Sequence, residues 1–309
     1  MAVIRERLSL LCQAGLLSVA ISILASPAAM AAQENHQTGQ VTVFWGRHKD
    51  EGSLREACDS GMYTHVIISF LNAYGHGVFK LDVSGHQLDG IGYDIKHCQL
   101  VGIPVSLSVR GTNNYSLPNG NNQSALDLAN HVWNAYLGGY RNGVHRPFGD
   151  AKLDGADLFL ERGVTTSKPY YDMIGRELAK LIGMGTGNNW KAIHVTATLP
   201  CAFVMNHPAM SHYERIHVRF FDEDGHNNGC NAYSEEVWDR WAATYPSSRI
   251  FLGLPASPEA AKEGYLYPKS LYYGVLPIVQ KAANYGGVML WDRYYDKSAN
   301  YSSYVKRWA

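Results

Sequence analysis

The chain has 309 residues, 46% of them hydrophobic and 17% charged, which is enough for one large barrel domain or two small domains. Lys and Arg together number 27, as do Asp and Glu, and no basic cluster breaks that balance, so a nucleic acid partner is not indicated. Aromatic residues make up 12%, a content that fits a well-packed core and equally a carbohydrate-facing or protein-facing surface.

The first element is a targeting segment. Met1–Arg7 carries Arg5 and Arg7, Leu8–Ala25 is mostly apolar, and Ala29-Met30-Ala31 is a small-x-small cleavage site. Gln13 and Ser18 interrupt the apolar run, which disfavours a membrane anchor, and no later segment is apolar enough to span a bilayer. Removing residues 1–31 as a signal peptide leaves 25 basic and 26 acidic residues, a net charge of about −1, and an expected single domain at 32–309 with its core from about residue 41.

Short apolar runs then alternate with amphipathic stretches. Val41–Gly46 reads as a buried strand and Ser53–Ser60 as a helix; His65–Leu71 and Pro104–Arg110 are the next strands, followed by a helix at Ala125–Tyr136. Ala156–Glu161 is the fourth strand and Tyr170–Ile182 the helix after it. Ile193–Leu199 and Arg215–Phe221 are strands, Ser234–Ala243 a helix, Arg249–Pro255 a strand, Ser270–Asn284 a helix and Gly287–Asp292 the eighth strand. Eight strands alternating with helices predict an α/β fold, a closed (β/α)8 TIM barrel. The alternative is an open doubly wound sheet, which usually carries a Gly-rich phosphate loop after its first strand. Val41–Glu51 has none, and no cofactor is expected.

Cys12 lies in the signal segment, leaving Cys58, Cys98, Cys201 and Cys230. Four cysteines in an exported chain allow three connectivities, and no close pair suggests a zinc site, so no metal is expected. The layout favours one connectivity. Cys58 and Cys98 fall on the first and second helices, neighbours on the outer ring. Cys201 and Cys230 follow the fifth and sixth strands, in adjacent loops on the C-terminal face. Asn114, Asn122 and Asn300 head N-x-S/T sequons in polar stretches, sites for glycosylation of a secreted protein.

Barrel enzymes place chemistry at the C-terminal ends of their strands. Side chains alternate along a strand, so Asp157, Phe159 and Glu161 share the inward face of the fourth one. Glu161, at the strand end, has the position of a general acid; a charge paired with Arg162 or solvated at the rim is the alternative.

The run Asp154-x-x-Asp157-x-Phe159-x-Glu161 resembles the D-x-x-D-x-D-x-E of plant class III chitinases, glycoside hydrolase family 18. Phe251-Leu252-Gly253-Leu254-Pro255-Ala256, Tyr285-Gly286-Gly287-Val288-Met289-Leu290-Trp291 and the cysteine positions extend the likeness over nearly the whole mature chain. The sequence also resembles the cereal xylanase inhibitor proteins, homologues of those chitinases. The residues that carry this are Leu158-Phe159-Leu160-Glu161-Arg162-Gly163, Ile216-His217-Val218-Arg219, Trp291-Asp292-Arg293-Tyr294 and Asn300-Tyr301-Ser302-Ser303.

The chitinase resemblance implies that Glu161 protonates the glycosidic oxygen while the substrate's own acetamide attacks. The last aspartate of the motif would orient that acetamide, and its position holds Phe159. A phenyl ring neither accepts an amide N–H nor offsets positive charge. Phe221 stands where active members have a tyrosine donor, and Arg110 where they have a glycine. Losing one such donor alone costs on the order of 10²–10³ in rate. Asp154, Asp157 and Glu161 remain, with Asp154 and Asp157 also suited to hydrogen-bonding inside the barrel. Trp291 is either a sugar-stacking floor or a core indole. Together these imply a secreted protein of the extracellular space or cell wall that has lost catalysis, an inhibitor of microbial xylanases in plant defence. A carbohydrate-binding or storage-like homologue and a residual chitinase are the alternatives.

The inhibitor resemblance implies two contact surfaces. The loop that opposes family 11 xylanases corresponds to about 182–192, where Lys191 is the sole cation in place of an Arg, and Trp190 is a candidate anchor. The surface that opposes family 10 enzymes corresponds to Tyr267-Pro268-Lys269-Ser270-Leu271-Tyr272-Tyr273, where Lys269 fits the pattern and Tyr272 and Tyr273 follow it. Family 10 is therefore the favoured target.

Overall fold

The computed structural model describes residues 37–75, 77–111, 123–160, 170–185, 193–202, 212–221 and 230–309. Its nine strands are β1 (Val41–Trp45), β2 (His65–Gly75), β3 (Val78–Leu81), β4 (Val105–Gly111), β5 (Gly155–Phe159), β6 (His194–Pro200), β7 (Arg215–Arg219), β8 (Arg249–Pro255) and β9 (Tyr285–Trp291). All but β3 pair in parallel around a ring, in the order β1-β9-β8-β7-β6-β5-β4-β2. Pairing of Val43 with Val66 and of Val41 with Val288 joins β1 to both β2 and β9 and closes the barrel, which rules out the open sheet.

The period-two alternation of the strands sorts their side chains into two environments. Val43, Ile68, Leu107, Leu158, Ala197, Val218, Leu252 and Leu290 face outward into one large apolar layer shared with the helices. Phe44, Ile67, Phe159, Phe251, Met289 and Trp291 face the barrel axis, where they form a second, separate cluster. The helices supply the other half of the outer layer. Among them are α1 (Leu54–Asp59), α2 (Ile91–Leu100), α3 (Gln123–Ala135), α4 (Tyr170–Gly185) and α5 (Glu235–Thr244). Ser53 and Ser234 cap α1 and α5, accepting from the backbone N–H of Glu56 and Val237.

Two features depart from the expected layout. The chain after β2 turns back as β3, pairing antiparallel with Leu71 opposite Leu81, a hairpin that the periodicity did not indicate. The helix expected at Ser270–Asn284 is instead α6 (Pro268–Ser270), a π-helical turn at Leu271–Val275 and α7 (Leu276–Val279). Pro277 has no N–H to give the preceding turn, so a wider turn accommodates it. The C-terminus adds α8 (Arg293–Ala299) and α9 (Tyr301–Val305).

Cys58 bonds Cys98, tying α1 to α2, and Cys201 bonds Cys230, as the layout predicts. The loops they close span 40 and 29 residues. In the chain-entropy view each contributes about 3.5–4 kcal/mol by restricting the unfolded chain.

Candidate functional site at the barrel mouth

The C-terminal end of the barrel is filled by rings. Phe159, 3% exposed, lies 4.9 Å from Phe70, 5.8 Å from Trp291 and 5.9 Å from Phe44, centroid to centroid. Phe221 stacks over Trp291 at 6.5 Å, so it does reach the mouth. Trp291 is only 7% exposed beneath these rings. At that burial the indole packs among the described rings of the barrel axis.

Guanidinium groups close over the plug. Arg219, at the end of β7, sits 4.1 Å above the Phe159 ring, and it donates to the Leu160 carbonyl. Arg110, opposite Phe159 in the β4–β5 register, lies 5.1 Å from the Phe70 ring, and Arg47 lies 5.2 Å from it. Arg47 also pairs with Asp82 at 4.0 Å, so the guanidinium groups cover the rings as packed planar groups.

Below the plug the axis turns polar. Asp157 is fully buried. Its Oδ2 accepts from Ser108 Oγ at 2.7 Å, and its Oδ1 from Thr196 Oγ1 at 2.8 Å and Thr198 Oγ1 at 3.0 Å. His217 Nδ1 is 3.6 Å from the same oxygen and 3.1 Å from Thr198 Oγ1. This carboxylate is engaged on both oxygens by barrel hydroxyls. Asp154, grouped with it in the sequence motif, is placed at the other end of β5. There its Oδ2 accepts from the backbone N–H of Val105 and from Gln99, joining β4 to α2 at the barrel base. The two motif aspartates are thus separated, and neither lies among the mouth rings.

Glu161 falls outside the described residues, as do Lys191, Trp190, Asn114 and Asn122. Asn300 is exposed, in a left-handed conformation (φ 53°) between α8 and α9. Lys269 is exposed on α6, with Tyr267 and Tyr273 about 67% and 70% exposed beside it. Tyr272 lies 4.5 Å from Tyr273 and 4.6 Å from Trp308, which ties this surface to the C-terminus. Among the described residues no cluster of His, Cys, Asp and Glu is arranged to hold a metal. No helix among them is long and apolar enough to cross a membrane.

Phe44, Phe70 and the hydroxyls around Asp157 were not singled out from sequence, and Arg219 only as part of a run that carries a resemblance. A signal was present: polar residues recur at every second position in Arg215-x-His217-x-Arg219 and His194-x-Thr196-x-Thr198, inside strands that are otherwise apolar.

His65, also on the barrel axis, is fully buried with Nε2 2.8 Å from Ser106 Oγ. Burial first, then the charges of Arg215, His217 and His194, hold its pKa well below the usual histidine value. Burial likewise lowers His48 and His131. The sign follows. The unfolded chain takes up these protons near pH 6.5 while the folded chain does not, so stability is full above that pH and is lost as pH falls toward the folded values. We expect the urea midpoint to drop between pH 7 and 5, and His65→Gln to flatten that dependence. An unchanged slope in that variant would refute the assignment to His65.

An eight-stranded parallel barrel with a glycosidase-type motif on its fourth strand, and with aromatic rings packed at the end of that strand, defines a glycoside-hydrolase-type barrel. The chain belongs to glycosyl hydrolases family 18, which its residues 40–265 match. It is 51% identical over 310 aligned residues to Xylanase inhibitor protein 1 of Triticum aestivum, covering 96% of this chain and 97% of that one. It is 32% identical to an acidic endochitinase of Vitis vinifera, covering 92% and 96%. Among solved structures it resembles the xylanase and alpha-amylase inhibitor protein of Scadoxus multiflorus, with a TM-score of 0.74, 30% identity, and 87% and 98% of the two chains covered.

Proposed function

We propose that this chain is a secreted, non-hydrolytic inhibitor of microbial xylanases. The observation that carries the reading is Phe159. It stands where family members carry an aspartate, it is 3% exposed, and Arg219 lies 4.1 Å above it. A phenyl ring at this position neither accepts an acetamide N–H nor offsets positive charge, and the packed rings fill the space beside it, which leaves the barrel as a scaffold for its surface. Similarity to proteins named as xylanase inhibitors supports the target class. Exposed Lys269 on α6, beside Tyr267 and Tyr273, supports family 10 enzymes over family 11 as targets. The N-terminal signal segment, two disulfides and exposed Asn300 fit an extracellular glycoprotein. The mature domain on this reading is 32–309.

Activity is tested on soluble chitin oligomers. We expect no turnover above background, and Phe159→Asp alone to recover little, because Arg110 and Phe221 still oppose productive placement of the acetamide and such groups act as a unit. Turnover by the wild type that Glu161→Gln abolishes would overturn the non-hydrolytic part of the proposal.

A further inference from the structure

A second site lies where the β3 hairpin meets α3, beside the C-terminal ends of β2 and β4, with Phe79 opposite Ala73 next to the Asn72–Arg110 rung. The β3 hairpin and α3 enclose a cavity of about 470 Å³, lined by Phe79, Asp127, Asn130, His131, Asn134 and Arg141. The size falls within the range of small-molecule sites. Gln123, Asp127, Asn130 and Asn134 follow the i, i+4, i+7, i+11 spacing that aligns residues on one face of a helix. The opposite face, Ala125, Leu128, Ala129 and Val132, is buried in the core.

The polar stripe runs from solvent at Gln123 and Asp127 into partly buried positions. Asn134 is only 9% exposed, and Asn130 and His131 are half-buried. Phe79 reaches across from β3 and stacks on the His131 ring at 4.4 Å, 20° from parallel. Asn130 Nδ2 donates to Leu126 O, and Asn134 Nδ2 to Asn130 O, both at 2.8 Å. Those bonds fix the two amides and leave each with a carbonyl oxygen and a second N–H to offer. Gln123 donates to Asp127 at 2.8 Å, which orients the carboxylate. One carboxylate and one guanidinium, Asp127 and Arg141, balance each other in charge. Burial favours the neutral form of His131.

We infer that this cavity is a binding site for a neutral oligosaccharide. Planar amides, a carboxylate and a guanidinium match adjacent sugar hydroxyls in donor and acceptor character, and the stacked Phe79–His131 pair leaves an outer ring face for the sugar's C–H groups. The balanced charge disfavours phosphorylated or strongly cationic ligands. None of its lining residues is among the mouth rings or on the Lys269 surface, so it would hold the protein on wall polysaccharide through a different set of side chains.

The test is a titration of the full mature protein with xylotetraose and, separately, with the N-acetylglucosamine tetramer, followed by two-dimensional amide NMR. We expect at least one probe to bind in the millimolar range or tighter, with shifts centred on the Asn130, Asn134 and Arg141 side chains. Asp127→Asn conserves size and Arg141→Gln shortens an exposed side chain, so both preserve the fold. Each is expected to weaken binding by about 3- to 10-fold, the range for losing one ordinary hydrogen bond, while xylanase inhibition is unchanged. No response to either probe at millimolar concentration would overturn the inference. So would shifts centred on Trp291, or binding that both variants leave intact.

Discussion

Replacing Lys269 with alanine is expected to weaken binding to a family 10 xylanase by about 30-fold or more. Lys269 stands exposed on α6, a short helix opened by Pro268 and followed by a π-helical turn. That irregular turn keeps Tyr273 at the surface while Tyr272 leans on Trp308, so the ammonium sits beside a fixed aromatic patch. A xylanase cleft is lined by catalytic carboxylates. A cation inserted there is partly desolvated, and removing one partner of such a pair typically costs about 2–5 kcal/mol, the lower figure being about 30-fold in affinity. Lys191→Ala is expected to change little. Calorimetric titration of both variants against one enzyme of each family, at moderate salt to screen incidental charges, checks this. Lys191→Ala abolishing binding while Lys269→Ala is silent would place the contact on the other surface.

The second large effect is on stability. Asp157→Ala is expected to destabilise the fold by about 3–5 kcal/mol, because it strips the acceptor from three buried hydroxyls, those of Ser108, Thr196 and Thr198, that join β4, β5 and β6. Asp157→Asn keeps one acceptor oxygen and should cost less. Urea unfolding of the two variants measures the difference. A loss below about 1 kcal/mol for the alanine variant would mean that the hydroxyls find other partners and that the carboxylate is not the centre of the network.

The barrel was legible because its signal is local. Each parallel strand is buried on both faces, and runs such as Ile193–Leu199 and Arg249–Pro255 announce that by composition. The β3 hairpin was not legible. Val78–Leu81 is short and alternates between exposed and half-buried positions, so no apolar run marks it. The helices α8 and α9 were hidden for a similar reason: Arg293–Ala299 is polar, and its start depends on Asp292 accepting from the N–H groups of Tyr294 and Tyr295.

The mouth was partly legible. Alternation along β5 put Phe159 on the inward face, where the structure has it. Alternation could not give the neighbours that make it a plug, since Phe44, Phe70, Arg219 and Trp291 come from four other strands and meet only when the barrel closes. Nor does motif spacing say which end of a strand a residue occupies. Asp154 and Phe159 are five residues apart, which at about 3.3 Å per residue puts about 16 Å of strand between them. One therefore serves the base and the other the mouth.

The most direct test of the inhibitor reading is inhibition of one family 10 and one family 11 xylanase by the purified mature protein, with hydrolysis of chitin oligomers followed in parallel. The account predicts inhibition of the family 10 enzyme at submicromolar concentration, weaker or no inhibition of the family 11 enzyme, and no chitin cleavage. If neither xylanase is bound at micromolar concentration, the inhibitor reading is contradicted.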